Sequence, residues 1–169
     1  MSEPLHQPSG LEKAIWTDAD FGDMGWHDAR IYAMGVHHDE RGAVPPTRLL
    51  FDLDYIVRWL DPVRPARTYT FWVAPATLVF ERVWDLTGSL EHASELEVAD
   101  LHRAPSPDQY PDPVWHVDGQ AFELRFRAPG FVQYFRRPPL HVPGQGLTMA
   151  QRGGISLAEA AFAPGPPPG

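Results

Sequence analysis

The clearest structural signal in the chain is the stretch LLFDLDYIVRW at residues 49–59. Large apolar side chains occupy every second position of this stretch, starting with its first residue, and the polar residues Asp52, Asp54 and Arg58 fall between them. Because successive side chains of a β-strand point to opposite faces of its sheet, this alternation predicts a strand with one buried and one polar face. The two carboxylates are therefore expected to project from the polar face, side by side.

Shorter alternating segments lie on both sides of this strand and are separated by turn-forming residues. The chain has 19 prolines, and most of them fall between the apolar segments, where they end strands. No long amphipathic helix alternates with the strands, so the pattern is typical of an all-β fold: an antiparallel sandwich or half-open barrel of about eight strands. Short helical turns are predicted near residues 17–24, after the capping residue Thr17, and near 156–162, where Ser156 and Glu159 match a capping box.

Three positions within these segments carry more specific predictions. A two-residue turn at residues 118–119 would pair Val117 with Gln120 and place the aromatic residues of both flanking strands on one face. Pro75 interrupts an apolar run, which predicts a sheet edge or a bulge where no backbone donor is needed. A change in the phase of the alternation predicts a bulge near Glu81.

Length and composition set the domain organisation and the general class of protein. The 169 residues are expected to form one domain over residues 11–162, flanked by disordered tails at 1–10 and 163–169. A net charge of −8, from 14 basic and 22 acidic residues, disfavours binding to nucleic acids and to anionic membranes. The chain has no cysteine, which excludes disulfides, thiolate metal sites and cysteine nucleophiles. We expect a soluble, cytoplasmic protein without a cofactor, and leave its oligomeric state open.

Polar residues near the first strand and in the 49–59 stretch form one candidate site: Trp26, His27, Asp28, Asp52, Asp54 and Arg58. Imidazole and carboxylate groups bind Zn²⁺ and Fe²⁺, so four of these residues are candidate metal ligands if the two strands pair: His27, Asp28, Asp52 and Asp54. Antiparallel sheets usually have one solvated face, however. The favoured interpretation is therefore that the two strand carboxylates face solvent without a metal, balanced by arginines on neighbouring strands.

Other local motifs favour no catalytic chemistry. The two histidines and two acids at residues 37–40 resemble a set of metal ligands, but neighbouring side chains of a strand point apart, so a solvated loop is predicted. The sequence has no Gly-x-Ser-x-Gly motif. Its glycines at 144–146 and 153–154 do not belong to a strand–loop–helix unit of the kind that binds phosphate. A local signature of an enzyme is therefore lacking in the sequence.

A second candidate site is a surface that binds another protein. The predicted outward-facing positions of the last strands carry several arginines and one aromatic residue, and Trp72 lies on the face opposite its aromatic neighbours; the surface comprises Trp72, Arg125, Arg127, Tyr134 and Arg136. Single-stranded nucleic acid is disfavoured as its ligand by the acidic net charge. A tryptophan on the second face of a sheet also indicates that something covers that face, most often another part of the same chain.

The segment from Trp26 to Ile31, WHDARI, is followed about twenty residues later by LFDLDYI and Trp59. In these motifs the chain resembles uncharacterised families of small bacterial proteins, some of which are similar to toxin-immunity proteins. The resemblance covers residues 16–86. It implies an antiparallel β domain of the bacterial cytoplasm that binds a partner, and it transfers no catalytic residue.

Together these observations favour a non-enzymatic binding domain that neutralises or regulates an intracellular protein partner. The negative charge and the aromatic-rich sheet suit a basic partner. The alternative is a metal-dependent hydrolase, or another small-molecule enzyme, that uses the four candidate ligands. A third interpretation, a β-barrel that carries an apolar ligand, predicts an aromatic-lined cavity.

Overall fold

The computed structural model describes residues 7–91 and 95–164, which form ten strands and two short helices. The strands are β1 (Ile15–Thr17), β2 (Arg30–His38), β3 (Thr47–Leu60), β4 (Thr70–Phe80), β5 (Trp84–Leu90), β6 (Leu96–Ala104), β7 (Val114–Gly119), β8 (Phe122–Arg127), β9 (Phe131–Phe135) and β10 (Leu140–Val142). A 3₁₀ helix spans Asp18–Asp23 and helix α1 spans Met149–Arg152. The predicted all-β fold is confirmed, and the sheet does not close into a barrel. The predicted tails lie largely outside the described residues.

The strands follow the hydrogen-bonded order β1-β9-β4-β3-β2-β6-β7-β8-β5, and β10 pairs with the first part of β4. All of these pairings are antiparallel. Within the described residues, two residue pairs, at Arg30 and Ile31, join β2 to β6. We therefore distinguish a large sheet (β1, β9, β4, β3, β2 and β10) from a small sheet (β6, β7, β8 and β5). The main hydrophobic core contains residues of both sheets.

Strand β3 supplies the centre of this core, as its alternation predicted. Leu49, Phe51, Leu53 and Tyr55 are buried in the main core, and β3 lies between β2 and β4. A shift in the pairing of β3 with β4, after Ile56, then reverses the faces. Val57 still packs against the main core, but Trp59 is 43% exposed and contacts Phe71 on the outer face, so the extension of the buried face to the last residue of the 49–59 stretch was wrong.

Strand β4 is buried on both faces, which explains the phase change seen in its sequence. Leu78 and Phe80 contribute to the main core, whereas Phe71 and Val73 belong to a second cluster on the outer face. The pairing of β4 with β3 is regular along this part, so no bulge near its end is needed. Pro75 lies within the strand and not at an edge; it falls between the segments paired with β10 and with β9.

The hairpin of β7 and β8 has the predicted faces but a different register. Val117 pairs with Leu124 and Trp115 with Phe126, so the connection is longer than a two-residue turn. The shift is an even number of residues, and the apolar side chains therefore still face the core. One predicted helical turn is confirmed by the 3₁₀ helix, which Thr17 caps. The other was wrong: residues 156–162 are not helical, and the short helix α1 lies earlier.

Among the described residues, no helix has the length and apolar character needed to cross a membrane. Of the segment 37–40, the two histidines are exposed as predicted but end β2 and do not form a loop. Asp39 is buried and accepts a hydrogen bond from the backbone of Arg41, so the prediction of a solvated loop was wrong for these residues.

Candidate functional site

The outer face of the large sheet is covered by the C-terminal residues 143–164, which we call the strap. Leu147 donates a backbone hydrogen bond to Asp54, and Ser156 donates one to Asp52. Further along, the hydroxyl of Thr77 donates to the carbonyl of Ala158. The expectation that the two strand carboxylates face solvent was therefore wrong, because both are completely buried beneath the strap.

Two arginines meet these carboxylates, and the four side chains form what we call the acid–arginine cluster: Asp52, Asp54, Arg136 and Arg152. Arg152 donates to both oxygens of Asp52, over 2.7 and 2.9 Å, and its Nε donates to Asp54 over 3.2 Å. Arg136 donates to Asp52 over 2.6 Å and to Thr77 over 2.8 Å. Two negative and two positive charges thus balance within the cluster.

The cluster is also satisfied by neighbouring polar groups. The Tyr32 hydroxyl donates to Asp54 over 2.9 Å, and the Arg152 guanidinium lies 3.7 Å from the centre of the Tyr32 ring. Burial, followed by the charge of Asp54, raises the pKa of Tyr32, so its hydroxyl stays protonated and keeps this bond. Burial lowers the pKa of Arg152, but its bonds to the two carboxylates outweigh that effect and the net shift is upward. Arg152 is therefore a permanent cation.

The oxygens of the two carboxylates are already occupied by protein donors. Each oxygen of Asp52 and Asp54 accepts at least one hydrogen bond from a guanidinium, a hydroxyl or a backbone N–H. A cation at these oxygens would have to displace buried donors that are already matched to them. Within residues 7–91 and 95–164, no three His, Asp or Glu side chains are arranged to hold a metal ion.

The remaining candidates of the first site lie elsewhere and do not join the acid–arginine cluster. Trp26 is a core residue whose Nε1 donates to Gln133 over 2.8 Å. His27 is exposed; its Nδ1 lies 2.9 Å from the carbonyl of Ala99 and its Nε2 lies 3.5 Å from Asp28. The pKa of His27 is raised, first by that carbonyl and then by the Asp28 charge. The predicted site therefore combined residues 26–28 with two strand carboxylates that lie apart from them in the structure.

Asp28 has partners of its own. Its backbone has a φ of 64°, in the left-handed region that residues with a Cβ seldom adopt. Its carboxylate accepts a 2.7 Å hydrogen bond from Gln145. Burial raises the pKa of the neighbouring Glu97, and the charge of Asp28 raises it further. Arg58, the last candidate, donates to the side-chain oxygen of Gln7 over 2.9 Å and so holds the N-terminal segment.

The proposed arginine surface does not exist as one exposed patch. Arg125 is exposed, but the side chain of Arg127 is only 4% exposed and that of Arg136 only 9%. Arg127 lies on the outward face of β8, as predicted, and is covered by the loop 105–113. Arg136 directly follows β9 and lies beneath the strap, where it contacts Asp52 and Thr77. Trp72 and Tyr134 are half-buried, and the Trp72 indole donates to the backbone of the N-terminal segment.

Arg127 organises the loop 105–113. Its guanidinium donates to the Asp108 carboxylate over 2.7 Å and to the carbonyl of Asp112 over 2.7 Å, and it lies 4.2 Å from the centre of the Trp84 ring. The hydrogen bond from Arg127 is the main reason that the pKa of Asp108 lies below its ordinary value.

We therefore predict that Arg127→Met loosens this loop. Loss of charged hydrogen bonds to a partly exposed partner is expected to lower the free energy of unfolding by about 1.5–3 kcal/mol. Limited proteolysis should cut the loop 105–113 faster than in the wild type. The matched control is Arg125→Met, which removes an exposed arginine from the same strand. Equal cleavage rates in the two variants would contradict the role given to Arg127.

An apolar groove lies where the two sheets separate, and we call it the seam groove. It has a volume of about 250 Å³ and is lined along one side by β5 and along the other by residues of β2 and β3; its apolar side chains include Ile31, Met34, Phe51, Leu86, Leu90 and Phe122. Met34, Leu86 and Leu90 are exposed. No pattern in the sequence indicated it, because β5 has too few apolar residues to stand out.

Two other spaces are candidate ligand sites: one between the two sheets and one beside Trp59. Between the sheets, the space lined by Trp26, Phe51 and their aliphatic neighbours is about 10 Å³, which is about the room of one water molecule and too small for an apolar ligand. A second groove of about 430 Å³ lies beside Trp59. Two of its polar side chains already have partners: Arg58 contacts the N-terminal segment, and His141 lies 2.8 Å from Thr70.

Compared with protein-family models, with curated proteins and with solved structures, the chain matches none.

Proposed function

We propose that this chain is a non-enzymatic protein-binding domain and that the seam groove is its binding surface. One observation carries the proposal: an exposed apolar groove runs along a strand edge that is unpaired within the described residues. Exposed apolar patches with a polar rim commonly mark interaction sites, and an unpaired edge strand offers backbone groups to another chain. A protein partner could cover both features at once.

The role we propose for such a domain is to neutralise or regulate its partner. The role is suggested by the sequence motifs that resemble uncharacterised bacterial families, some of which are similar to toxin-immunity proteins, and the net charge of −8 favours a basic partner. The alternative, a metal-dependent hydrolase, has less support. Asp52 and Asp54 are engaged by arginines beneath the strap, and His27 and Asp28 contact other residues.

The proposal predicts that a charge in the seam groove abolishes partner binding without unfolding the domain. Leu90→Asp changes a side chain that is 68% exposed, so we expect no loss of stability. The matched control is Val63→Asp, at a residue that is 75% exposed and lines the groove beside Trp59. Each variant is used to capture proteins from a lysate of the source cells, followed by mass spectrometry and measurement of the affinity of each captured protein.

We expect at least one protein to bind the wild type and Val63→Asp equally and to bind Leu90→Asp at least tenfold more weakly. Melting temperatures of the three proteins should agree. If every captured protein binds Leu90→Asp as well as it binds the wild type, the seam groove is not the binding surface. Selective loss of binding by Val63→Asp would move the function to the groove beside Trp59.

A further inference from the structure

The chemistry of the seam groove also specifies what kind of segment occupies it. Strand β5 pairs only with β8 within the described residues, and every residue from Asp85 to Leu90 is exposed. Its other edge therefore carries backbone N–H and C=O groups that no described strand satisfies. An extended segment placed along that edge would pair with them, as an added strand does in β-augmentation.

The opposite side of the groove has a similar edge. Among the residues that the structure describes, β2 pairs with β6 at Arg30 and Ile31, and its part from Ala33 to His38 pairs with β3 alone. Met34, in that part of β2, lines the groove together with Phe51 from the neighbouring strand. An occupant therefore meets apolar side chains below it and strand backbone at both margins.

The size of the groove argues against a cofactor or a metabolite. Sites for such molecules usually measure about 300–1,000 Å³ and carry a few converging polar groups. The seam groove is smaller, at about 250 Å³, and its described lining is mostly apolar. It fits a few side chains of an extended segment, in which alternate residues point to the same side.

Two exposed carboxylates, those of Asp85 and Glu91, lie at the two ends of the β5 segment that lines the groove, and the residues of β5 between them carry no charge. Glu123 and Arg125 of β8 project from the opposite face of the small sheet, because their neighbours Phe122 and Leu124 line the groove. Such a rim attracts lysine and arginine and repels acidic residues, mainly at low ionic strength.

We infer that the seam groove binds an extended apolar segment of a partner protein, flanked by basic residues, which adds as a strand to the free edge of β5. This inference rests on the proposed function, since it names the occupant of the same surface. The apolar side chains of the segment enter the groove, its backbone pairs with β5, and its basic ends face the acidic rim.

Synthetic seven-residue peptides added to the full-length protein test this inference. The probe is Lys-Val-Thr-Val-Thr-Val-Lys with blocked termini, and one comparison peptide has glutamate in place of both lysines. Two further peptides carry backbone N-methyl groups, one at the odd-numbered residues and the other at the even-numbered residues. Each set removes the N–H donors from one edge of the extended peptide only. NMR titration reports the affinity, and amide exchange reports protection at residues 86–90.

We expect the lysine-flanked peptide to bind at least tenfold more tightly than the glutamate-flanked one, with the difference shrinking in high salt. One N-methylated peptide should lose binding and the other should retain it. Glu91→Lys should weaken binding of the lysine-flanked peptide, whereas Glu12→Lys, at an exposed acid outside the groove lining, should not.

The outcomes separate this inference from the proposed function. If both N-methylated peptides bind the groove as well as the parent, apolar contact alone holds the occupant and strand addition is wrong. If no peptide binds but a captured protein still binds Leu90→Asp more weakly than it binds the wild type, the inference fails and the proposed function stands. If no peptide binds and every captured protein binds Leu90→Asp as well as it binds the wild type, both the inference and the proposed function fail.

Discussion

Replacing Arg152 with methionine is expected to lower the free energy of unfolding by about 3–5 kcal/mol, the cost typical of removing one partner from a buried ion pair. The guanidinium of Arg152 contacts both Asp52 and Asp54, and all three side chains are completely buried. Without it, Asp52 keeps the guanidinium of Arg136, but Asp54 keeps only the Tyr32 hydroxyl and the Leu147 N–H, which are uncharged. For a chain of this length the melting temperature should fall by about 6–20 °C, measured by calorimetry or circular dichroism.

The control for this prediction is Arg67→Met, which makes the same chemical change at an exposed arginine. It should change stability by less than about 0.5 kcal/mol. A melting temperature for Arg152→Met equal to that of Arg67→Met would show that the acid–arginine cluster does not stabilise the fold. Loss of all folded protein in Arg152→Met would agree with the prediction, because the expected loss approaches the whole stability of many domains.

A double-mutant cycle separates charge balance from lost packing. Asp54→Asn combined with Arg152→Met leaves the pair of Asp52 and Arg136, whose 2.6 Å contact is retained. The double variant should therefore be more stable than the sum of the single losses predicts, by about 0.5–3 kcal/mol. Additive losses would indicate that Arg152 acts through its packing on Tyr32 and not through its charge.

The fold could be predicted from the sequence because strand alternation is local. Residues 49–55 alternate within one strand, so their inner face followed directly from their order, and the faces of β7 and β8 were correct for the same reason. The register of the β7–β8 hairpin was not fixed in this way, because a shift by an even number of residues keeps every side chain on its face.

The candidate site could not be predicted because its partners are distant in sequence. Asp52 and Arg152 are separated by 100 positions, and nothing local to either residue indicates that they meet. The expectation of a solvated face rested on the general behaviour of antiparallel sheets, which here fails because irregular chain covers that face. The strap has no periodicity that could have revealed this: its only helix, α1, is four residues long and is capped by Gly153, whose φ is 75°.

Removing the strap is expected to abolish cooperative folding. A chain that ends at Val142 loses Arg152 and loses Leu147, which packs with Ile56 and Val73 on the outer face. Buried apolar side chains contribute about 1.5–3 kcal/mol each, so exposing several of them removes an amount similar to the stability of a whole domain. Thermal unfolding should show no sharp transition, and the dye ANS should bind the newly exposed face.

A chain that ends at Pro164 keeps the whole strap and is the control for this deletion. Comparing the shortened chain with Arg152→Met is also informative. Both changes remove Arg152 from the two carboxylates, but the carboxylates stay buried in one variant and become exposed to water in the other. In Arg152→Met the strap still covers Asp52 and Asp54, whereas in the shortened chain water can hydrate them and offset part of the lost ion pairing. A shortened chain that melts cooperatively within about 3 °C of the control, a shift worth about 1 kcal/mol, would show that burial beneath the strap adds little to stability.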